Sequence, residues 1–228
     1  MSLNRRQLPN LITLSRLLFA AVVFFFLESL VRREDPSVQQ RAAFWAFWFY
    51  LAASLTDSLD GWLARKYGWV TAVGRVADPV VDKVLTLGAF IYLVQVDWLT
   101  DRARYPADWR WVSGQHDLLP DLVPAWAVVV LLAREFLVTA LRGLVESRGL
   151  QFPADRYGKA KMTLQTIYIC ILVGAVGAVP EALHLRWLYA AREPALVAAL
   201  FWIVIGLTLF SGLNYCLRAA RMLAQDAP

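Results

Sequence analysis

Four aspartates in the middle of the chain are spaced so that they could act together. They are Asp57, Asp60, Asp78 and Asp82, and each pair lies beside long apolar runs. Residues three or four apart share one face of a helix, so two helices that face each other would bring all four carboxylates to one point. Because like charges repel, such a group needs cations, and carboxylates are the ligands that hard divalent ions prefer. The spacing therefore predicts a site for one or two divalent ions.

Composition places these carboxylates in a membrane protein. The chain has 228 residues, of which 59% are hydrophobic, and a mean hydropathy of +0.48, which excludes an ordinary soluble domain. The length suits a single domain over residues 1–228. The net charge of +5 is modest and fits cytoplasmic loops and anionic lipids better than nucleic acid. Cys170 and Cys216 lie in separate apolar stretches, which argues against a disulfide or a thiolate metal site.

Six apolar segments are each close to the ~20 residues that cross a bilayer as a helix. They cover roughly residues 8–30, 42–64, 79–97, 121–144, 161–180 and 195–217. The first segment is interrupted by Arg16, and no small-residue cleavage site follows Leu27, so it is read as a retained helix rather than a signal peptide. The sequence therefore predicts an all-α integral membrane protein with a bundle of six transmembrane helices.

The basic residues predict the orientation of this bundle. Most of them fall at the start, in the second and fourth connections and at the end, which all lie on one side of a six-helix arrangement. The long connection over residues 97–121 is rich in aspartate and suits the outer side. Arg32, Arg33 and Arg41 run against the pattern, but the balance predicts that both termini are cytoplasmic.

The central stretch also resembles a family signature. From Asp57 to Asp82 it reads D-x2-D-G-x2-A-R-x8-G-x3-D-x3-D, and this pattern is similar to that of the CDP-alcohol phosphotransferase family of integral membrane enzymes. Eight fixed positions within 26 residues make the motif specific. The alternative is a solvated loop whose aspartates pair with Arg65, Arg75 and Lys83, and it gives no reason for the spacing.

The resemblance implies roles for the aspartates. It implies that two ions, Mg²⁺ or Mn²⁺, are bound by Asp57, Asp60, Asp78 and Asp82. It also implies that Asp82 removes the proton from the hydroxyl of the acceptor. An aspartate near its usual pKa of ~3.9 is a weak base at neutral pH. Neighbouring carboxylates raise that pKa and bound cations lower it, so the role of Asp82 as the base rests on the resemblance.

A second stretch is similar to the opening of this family. Residues Pro9 to Arg16 resemble its PN-x-LT-x-x-R pattern, with Ile12 in place of Leu. Polar atoms of Asn10 and Thr13 would lie near the nucleotide, although both residues also suit a simple helix cap. Small residues of the central motif would let the nucleotide approach the helix backbones, and Arg65 would pair with donor phosphate unless it only anchors the helix. The predicted donor site comprises Asn10, Thr13, Arg16, Gly61, Ala64, Arg65, Gly74 and Asp78.

Two further stretches look like those of phosphatidylglycerophosphate synthases. They are Ala133–Arg142 and Gly158–Gln165, the latter with Met162 in place of a threonine. Glycerol 3-phosphate is largely a dianion and needs cationic partners. The predicted ligands of its phosphate are Arg134, Arg142, Lys159 and Lys161. The alternative for these residues is anchoring on the cytoplasmic side of the membrane.

The resemblance implies transfer of the phosphatidyl group from CDP-diacylglycerol to glycerol 3-phosphate, with release of CMP. It also implies a homodimer in the bacterial cytoplasmic membrane, with the site on the cytoplasmic side. Two other acceptors stay open: phosphatidylglycerol, as in a cardiolipin synthase, and inositol phosphate. A divalent-cation carrier is a third alternative, but a carrier needs polar groups through the bilayer centre, where this sequence has Leu, Val, Ala and Phe.

Overall fold

The structure is a computed structural model, and it describes residues 8–33, 35–67, 72–96, 122–150, 156–177 and 194–225. Within these ranges there are six α-helices and no strand, which confirms the prediction of an all-helical protein. The helices are α1 (Leu8–Arg32), α2 (Pro36–Tyr67), α3 (Ala72–Val94), α4 (Ala125–Ser147), α5 (Arg156–Val176) and α6 (Pro194–Gln225). The long connection predicted over residues 97–121 lies outside the described residues.

Several helices extend beyond the apolar segments that predicted them. Helix α2 begins at Pro36 rather than at residue 42 because Asp35 caps it. The Asp35 carboxylate accepts a hydrogen bond of 2.8 Å from the Ser37 amide. The backbone carbonyl of Asp35 accepts hydrogen bonds from the amides of Val38 and Gln39. Proline suits the first helical position because that position needs no amide donor. Polar capping, which hydropathy does not register, thus sets the start of this helix.

Two of the described helical stretches are long and apolar enough to cross a membrane. They are Arg156–Val176 in α5 and Leu196–Gln225 in α6. In α3, the apolar stretch from Lys83 to Val94 is shorter. The prediction that the protein has membrane-capable helices is therefore confirmed for these two segments.

The six helices pack in a ring. Following contacts from one helix to the next gives the order α2, α1, α3, α4, α6, α5 and back to α2, and α3 also touches α5. Most buried apolar side chains form one continuous core inside this ring. Tyr168 of α5 lies in that core, where its hydroxyl donates to the Leu122 carbonyl at 2.5 Å and its ring contacts Phe90 and Phe201. The ring therefore brings all six helices around a common interior.

Cross-helix contacts show which helix ends lie together. At one end, Arg134 of α4 contacts Ser211 of α6, and Lys161 of α5 contacts α4. At the other end, Gly177 approaches Phe44 of α2, and Tyr168 meets the chain just before α4. Helices that follow one another in the chain thus run in opposite directions, whereas α1 beside α3 and α4 beside α6 run parallel. The starts of α1, α3 and α5 and the ends of α2, α4 and α6 form one end of the bundle, here called the polar end.

Helix α4 ends at this polar end in a defined turn. Gly149 has a φ of +77°, a conformation that side chains with a Cβ rarely adopt. The amides of Gly149 and Leu150 donate to the carbonyls of Glu146 and Val145, which is the hydrogen-bond pattern of a Schellman motif. Leu150 then packs against the apolar cluster that contains Val145. This turn fixes the last turns of α4, which carry the predicted acceptor residue Arg142.

Gly177, directly after α5, permits a close approach to the backbone of α2 at the opposite end. A Cβ at this position would lie 2.6 Å from the Phe44 nitrogen and 2.7 Å from its Cα, and backbone atoms cannot move aside cheaply. We expect Gly177→Ala to lower the free energy of unfolding by about 1–3 kcal/mol, the usual effect of overpacking. Gly206→Ala is the matched control, because a Cβ there meets nothing within 4 Å. Equal unfolding midpoints in detergent for the two variants would contradict this packing.

Candidate functional site

The four aspartates lie on two helices whose adjoining ends are both at the polar end. Asp57 and Asp60 are in the last third of α2, and Asp78 and Asp82 are in the first half of α3. Tyr67 and Ala72 are five positions apart, so the chain keeps the adjoining helix ends within about 18 Å. Asp60 and Asp78 are each roughly 10 Å along their helix from this junction. Both aspartate pairs therefore occur at one end of the bundle, on helices as predicted.

The contacts predicted for these four side chains, and for Gly61, Ala64, Arg65 and Gly74, lie outside the described residues. Four carboxylates at helical spacings of three and four offer only hard oxygen ligands, and Mg²⁺ and Mn²⁺ prefer such ligands. The residues that could hold a metal ion are thus the four aspartates.

The first helix brings the predicted donor residues to the same end. Asn10, Thr13 and Arg16 all lie in the first three turns of α1, which begins at the polar end. Arg16 is buried, with 6% of its surface exposed. The side-chain contacts predicted for Asn10 and Thr13 lie outside the described residues. The N-terminal motif and the aspartate motif, far apart in sequence, therefore converge on one end of the bundle.

A buried ionic cluster lies at the polar end between α4 and α5. The Glu135 carboxylate accepts a hydrogen bond of 2.8 Å from Arg134 Nη1, and Lys161 Nζ donates to the same Oε1 atom. Lys161 is 1% exposed, Arg134 8% and Glu135 9%. A buried ammonium is expensive unless a counter-charge accompanies it. Glu135 is therefore the counter-ion that allows two predicted acceptor ligands to be buried together.

Helix α6 holds the other side of Arg134. The Nη2 atom of Arg134 donates a hydrogen bond to Ser211 Oγ of α6 at 2.6 Å. One residue further, Gly212 makes room for the aliphatic stem, since a Cβ there would lie 3.1 Å from Arg134 Cγ. Gly158 of α5 faces the guanidinium, with a Cβ position 3.6 Å from Nη2. The guanidinium is thus fixed by groups from three helices.

Arg142 and Lys159 are more accessible than this cluster. Arg142 is partly buried and its Nη2 atom donates to the Tyr215 hydroxyl at 3.3 Å. Lys159 is exposed near the start of α5. The structure therefore places all four predicted acceptor residues at the polar end. Arg134 and Lys161 meet at Glu135, Arg142 contacts α6, and Lys159 points to solvent.

A hydrogen bond joins the helix that carries Asp82 to α4, one helical turn after this cluster. Lys83, the next residue after Asp82, donates through Nζ to Thr139 Oγ1 of α4. Thr139 in turn donates to the Glu135 carbonyl at 2.8 Å, one helical turn earlier. The predicted catalytic aspartate on α3 is therefore next to a residue that contacts α4, the helix of Arg134 and Arg142.

Sequence reasoning did not assign Thr139, Ser211 or Tyr215 to the site. Ser211 and Tyr215 are one turn apart on α6 and both face α4. A serine buried within an apolar helix is a weak signal, because Ser211 could equally have bonded its own helix. Their contacts span more than 70 residues of sequence, so only the packing of α6 on α4 shows their role.

Glu135 is expected to be essential for the stability of this end of the bundle. We expect Glu135→Ala to lower the free energy of unfolding by about 3–5 kcal/mol, because it removes the carboxylate that Arg134 and Lys161 share. Unfolding in a detergent titration measures this effect. Glu146→Ala on the exposed end of the same helix is the control. If both variants unfolded at the same detergent composition, the buried cluster would contribute nothing to stability.

The chain is similar to a family of known proteins over most of its length. The sequence model of the CDP-alcohol phosphatidyltransferase family matches residues 6–212, which include both motifs and the ionic cluster. A Bacillus subtilis protein named CDP-diacylglycerol–glycerol-3-phosphate 3-phosphatidyltransferase is 33% identical over 216 residues, covering 92% of this chain and 93% of that protein. The similarity therefore extends over nearly the whole of both proteins.

Two other relatives bear on the acceptor. A Mycobacterium tuberculosis protein named probable phosphatidylglycerophosphate synthase is 32% identical over 215 residues, covering 94% of this chain and 82% of its own length. A Streptomyces coelicolor protein named cardiolipin synthase (CMP-forming) is 28% identical over 154 residues, covering 67% of this chain and 58% of its own length. The similarity covers more of this chain for the relatives whose names include glycerol 3-phosphate or phosphatidylglycerophosphate than for the relative named cardiolipin synthase.

Proposed function

Because this chain belongs to the CDP-alcohol phosphatidyltransferase family, we propose that it transfers the phosphatidyl group of CDP-diacylglycerol to glycerol 3-phosphate. The products are phosphatidylglycerol phosphate and CMP. The observation that carries this proposal is the contact of Lys83, next to Asp82, with Thr139 of α4, one helical turn after Glu135 of the buried arginine–glutamate–lysine cluster. It joins a cation-rich acceptor region to a carboxylate-rich donor region.

The reaction exchanges one phosphorus–oxygen bond for another. The acceptor hydroxyl oxygen attacks the phosphorus that bears diacylglycerol, and the bond from that phosphorus to the bridging oxygen of the pyrophosphate breaks. CMP leaves with the bridging oxygen. Asp82 takes the proton of the hydroxyl, and the small residues of the motif leave space for the nucleotide beside the helices. Asn10, Thr13, Arg16 and Arg65 orient the donor by its base and phosphates.

Members of this family generally depend on a divalent metal. Asp57, Asp60, Asp78 and Asp82 are the residues that would hold it, and we infer two ions, Mg²⁺ or Mn²⁺. When bound, the metal neutralises the pyrophosphate and favours departure of CMP. The four carboxylates also leave the donor region strongly acidic without metal, so a dianionic acceptor needs the separate basic region of α4 and α5.

The membrane setting follows from the same arrangement. Large apolar side chains face outward on all six described helices, including Phe25, Phe136 and Leu213, and Phe136 is 70% exposed although it follows Glu135 directly. This supports six transmembrane spans, with lipid around the bundle and the polar end at the membrane surface. The positive-inside rule puts that end and both termini in the cytoplasm of a bacterial cell, at the cytoplasmic membrane. The resemblance also supports a homodimer.

A comparison of acceptors tests this function. Purified protein would be given CDP-diacylglycerol and Mg²⁺, and CMP release would be followed with glycerol 3-phosphate, inositol phosphate or phosphatidylglycerol. We expect release to depend on glycerol 3-phosphate. Release with only one of the other two would keep the donor site and reject the assigned acceptor. A protein that bound Mg²⁺ without any effect of CDP or CMP would instead favour a cation carrier.

Arg134→Ala is expected to weaken mainly the binding of the acceptor. We expect it to raise the KM for glycerol 3-phosphate roughly 10- to 100-fold, because a charge-assisted hydrogen bond to phosphate is lost, and to change the KM for CDP-diacylglycerol little. Arg148→Ala is the control, since this exposed arginine at the end of the same helix would serve only as an anchor. An unchanged KM for glycerol 3-phosphate in Arg134→Ala would count against the phosphate role.

A further inference from the structure

Two predicted acceptor residues, Arg134 and Arg142, share a third residue between them. The guanidinium carbon of Arg134 lies 5.6 Å from the centre of the Tyr215 ring, within the range of a cation–π contact. The hydroxyl of the same tyrosine accepts the hydrogen bond from Arg142 Nη2 at 3.3 Å. One side chain of α6 therefore touches both arginines, which are eight positions apart on α4.

Tyr215 is itself fixed in place. It is 3% exposed and packs in a small apolar cluster with Val138, Val145 and Ala219, separate from the main core. Partly buried side chains from the ends of α4 and α6 close this cluster. The ring cannot swing away without opening the cluster, so its face and its hydroxyl define two fixed points for the two arginines.

Fixed spacing matters because arginine is long and flexible. A guanidinium free to move loses side-chain entropy when it binds phosphate, and a guanidinium already held in place loses less. Ser211 holds Arg134 from the same face of α6, one turn before Tyr215. Arg142 has its contact with Tyr215 and is otherwise partly exposed. The hydroxyl of Tyr215 is thus the group that orders the more accessible arginine.

We propose that Tyr215 is a positioning residue that holds Arg134 and Arg142 at a set spacing for the phosphate of the acceptor. This rests on the proposed function, because it assigns Tyr215 to that same acceptor site. Tyr215 does not touch the reacting atoms. It acts through the two arginines, so its loss weakens acceptor binding and leaves donor binding and the proton transfer at Asp82 in place.

Tyr215→Phe tests the contribution of the hydroxyl separately from that of the ring. It removes the partner of Arg142 and keeps both the cluster and the aromatic face against Arg134. We expect the KM for glycerol 3-phosphate to rise about 3- to 10-fold at saturating CDP-diacylglycerol, as for loss of one hydrogen bond, with kcat and the KM for CDP-diacylglycerol nearly unchanged. Tyr215→Leu, which also removes the ring, is expected to raise it further. Tyr168→Phe is the control, because it removes an equally buried hydroxyl at the opposite end.

A double-mutant cycle decides whether the effect passes through Arg142. Tyr215→Phe is expected to raise the KM for glycerol 3-phosphate in the wild-type background and not in the Arg142→Ala background. The same fold-increase in both backgrounds, or no increase in either, would overturn the positioning role while the proposed function stands. A wild-type protein that does not use glycerol 3-phosphate would overturn the proposed function, and this inference with it.

Discussion

Asp82→Asn is expected to reduce kcat by roughly 10²- to 10⁴-fold, the usual contribution of a general base, and to keep most of the affinity for CDP-diacylglycerol. Asparagine has nearly the same shape and can still offer an oxygen ligand, but it cannot accept the proton of the acceptor hydroxyl. The measurements are kcat from CMP release and the thermal shift of the protein on addition of CDP and Mg²⁺. The two readouts separate loss of the base from loss of the donor site.

Asp35→Asn is the matched control for this substitution. Asp35 lies just before α2, in the connection from α1 at the opposite end of the bundle, and asparagine caps helices as well as aspartate does. Its turnover should equal that of the wild type. Normal turnover in Asp82→Asn would remove Asp82 from the role of base and leave it as a metal ligand only.

Asp78→Ala is expected to lower kcat at least about 10³-fold and also to weaken nucleotide binding that depends on metal, because both the donor charge and the leaving group lose their neutralising cation. Asp57→Ala and Asp60→Ala should behave in the same way. The measurement is CDP binding as a function of Mg²⁺ concentration, together with turnover. A higher Mg²⁺ requirement in these variants would link each carboxylate to the metal.

Turnover and nucleotide binding, measured together, distinguish the base from the metal ligands. Asp82→Asn should lose turnover and keep binding, whereas the three alanine variants should lose both. Removal of metal with a chelator should reproduce the alanine phenotype in the wild type, and added Mg²⁺ should reverse it. Asp78→Ala with metal-dependent nucleotide binding equal to that of the wild type would contradict the assignment of Asp78 as a ligand.

The sequence predicted the features that depend on local spacing. Asp57 and Asp60, and Asp78 and Asp82, are spaced for one face of a helix, and the backbone there is helical. The helix starts were less well predicted because hydropathy does not register a cap such as Asp35. The contacts of the four carboxylates with each other or with metal remain a prediction.

The acceptor region depended on contacts that spacing cannot give. Arg134, Arg142, Lys159 and Lys161 look alike in sequence, since all four are basic residues on or beside the predicted fourth and fifth helices. The fold distinguishes these residues by their burial and their partners. Lys161 is buried and paired with Glu135, whereas Lys159 is exposed to solvent. Ser211 and Tyr215 enter the region only because α6 packs along α4, and no periodicity in either helix specifies that pairing.

The most direct test of the proposed reaction is identification of its lipid product. Purified protein with CDP-diacylglycerol, Mg²⁺ and radiolabelled glycerol 3-phosphate is expected to form labelled phosphatidylglycerol phosphate, identified by mass spectrometry, in a molar amount equal to the CMP released. Asp82→Asn should form neither product at a comparable rate. CMP release without label in the lipid fraction, or no CMP from folded protein that binds CDP, would contradict phosphatidyl transfer to glycerol 3-phosphate.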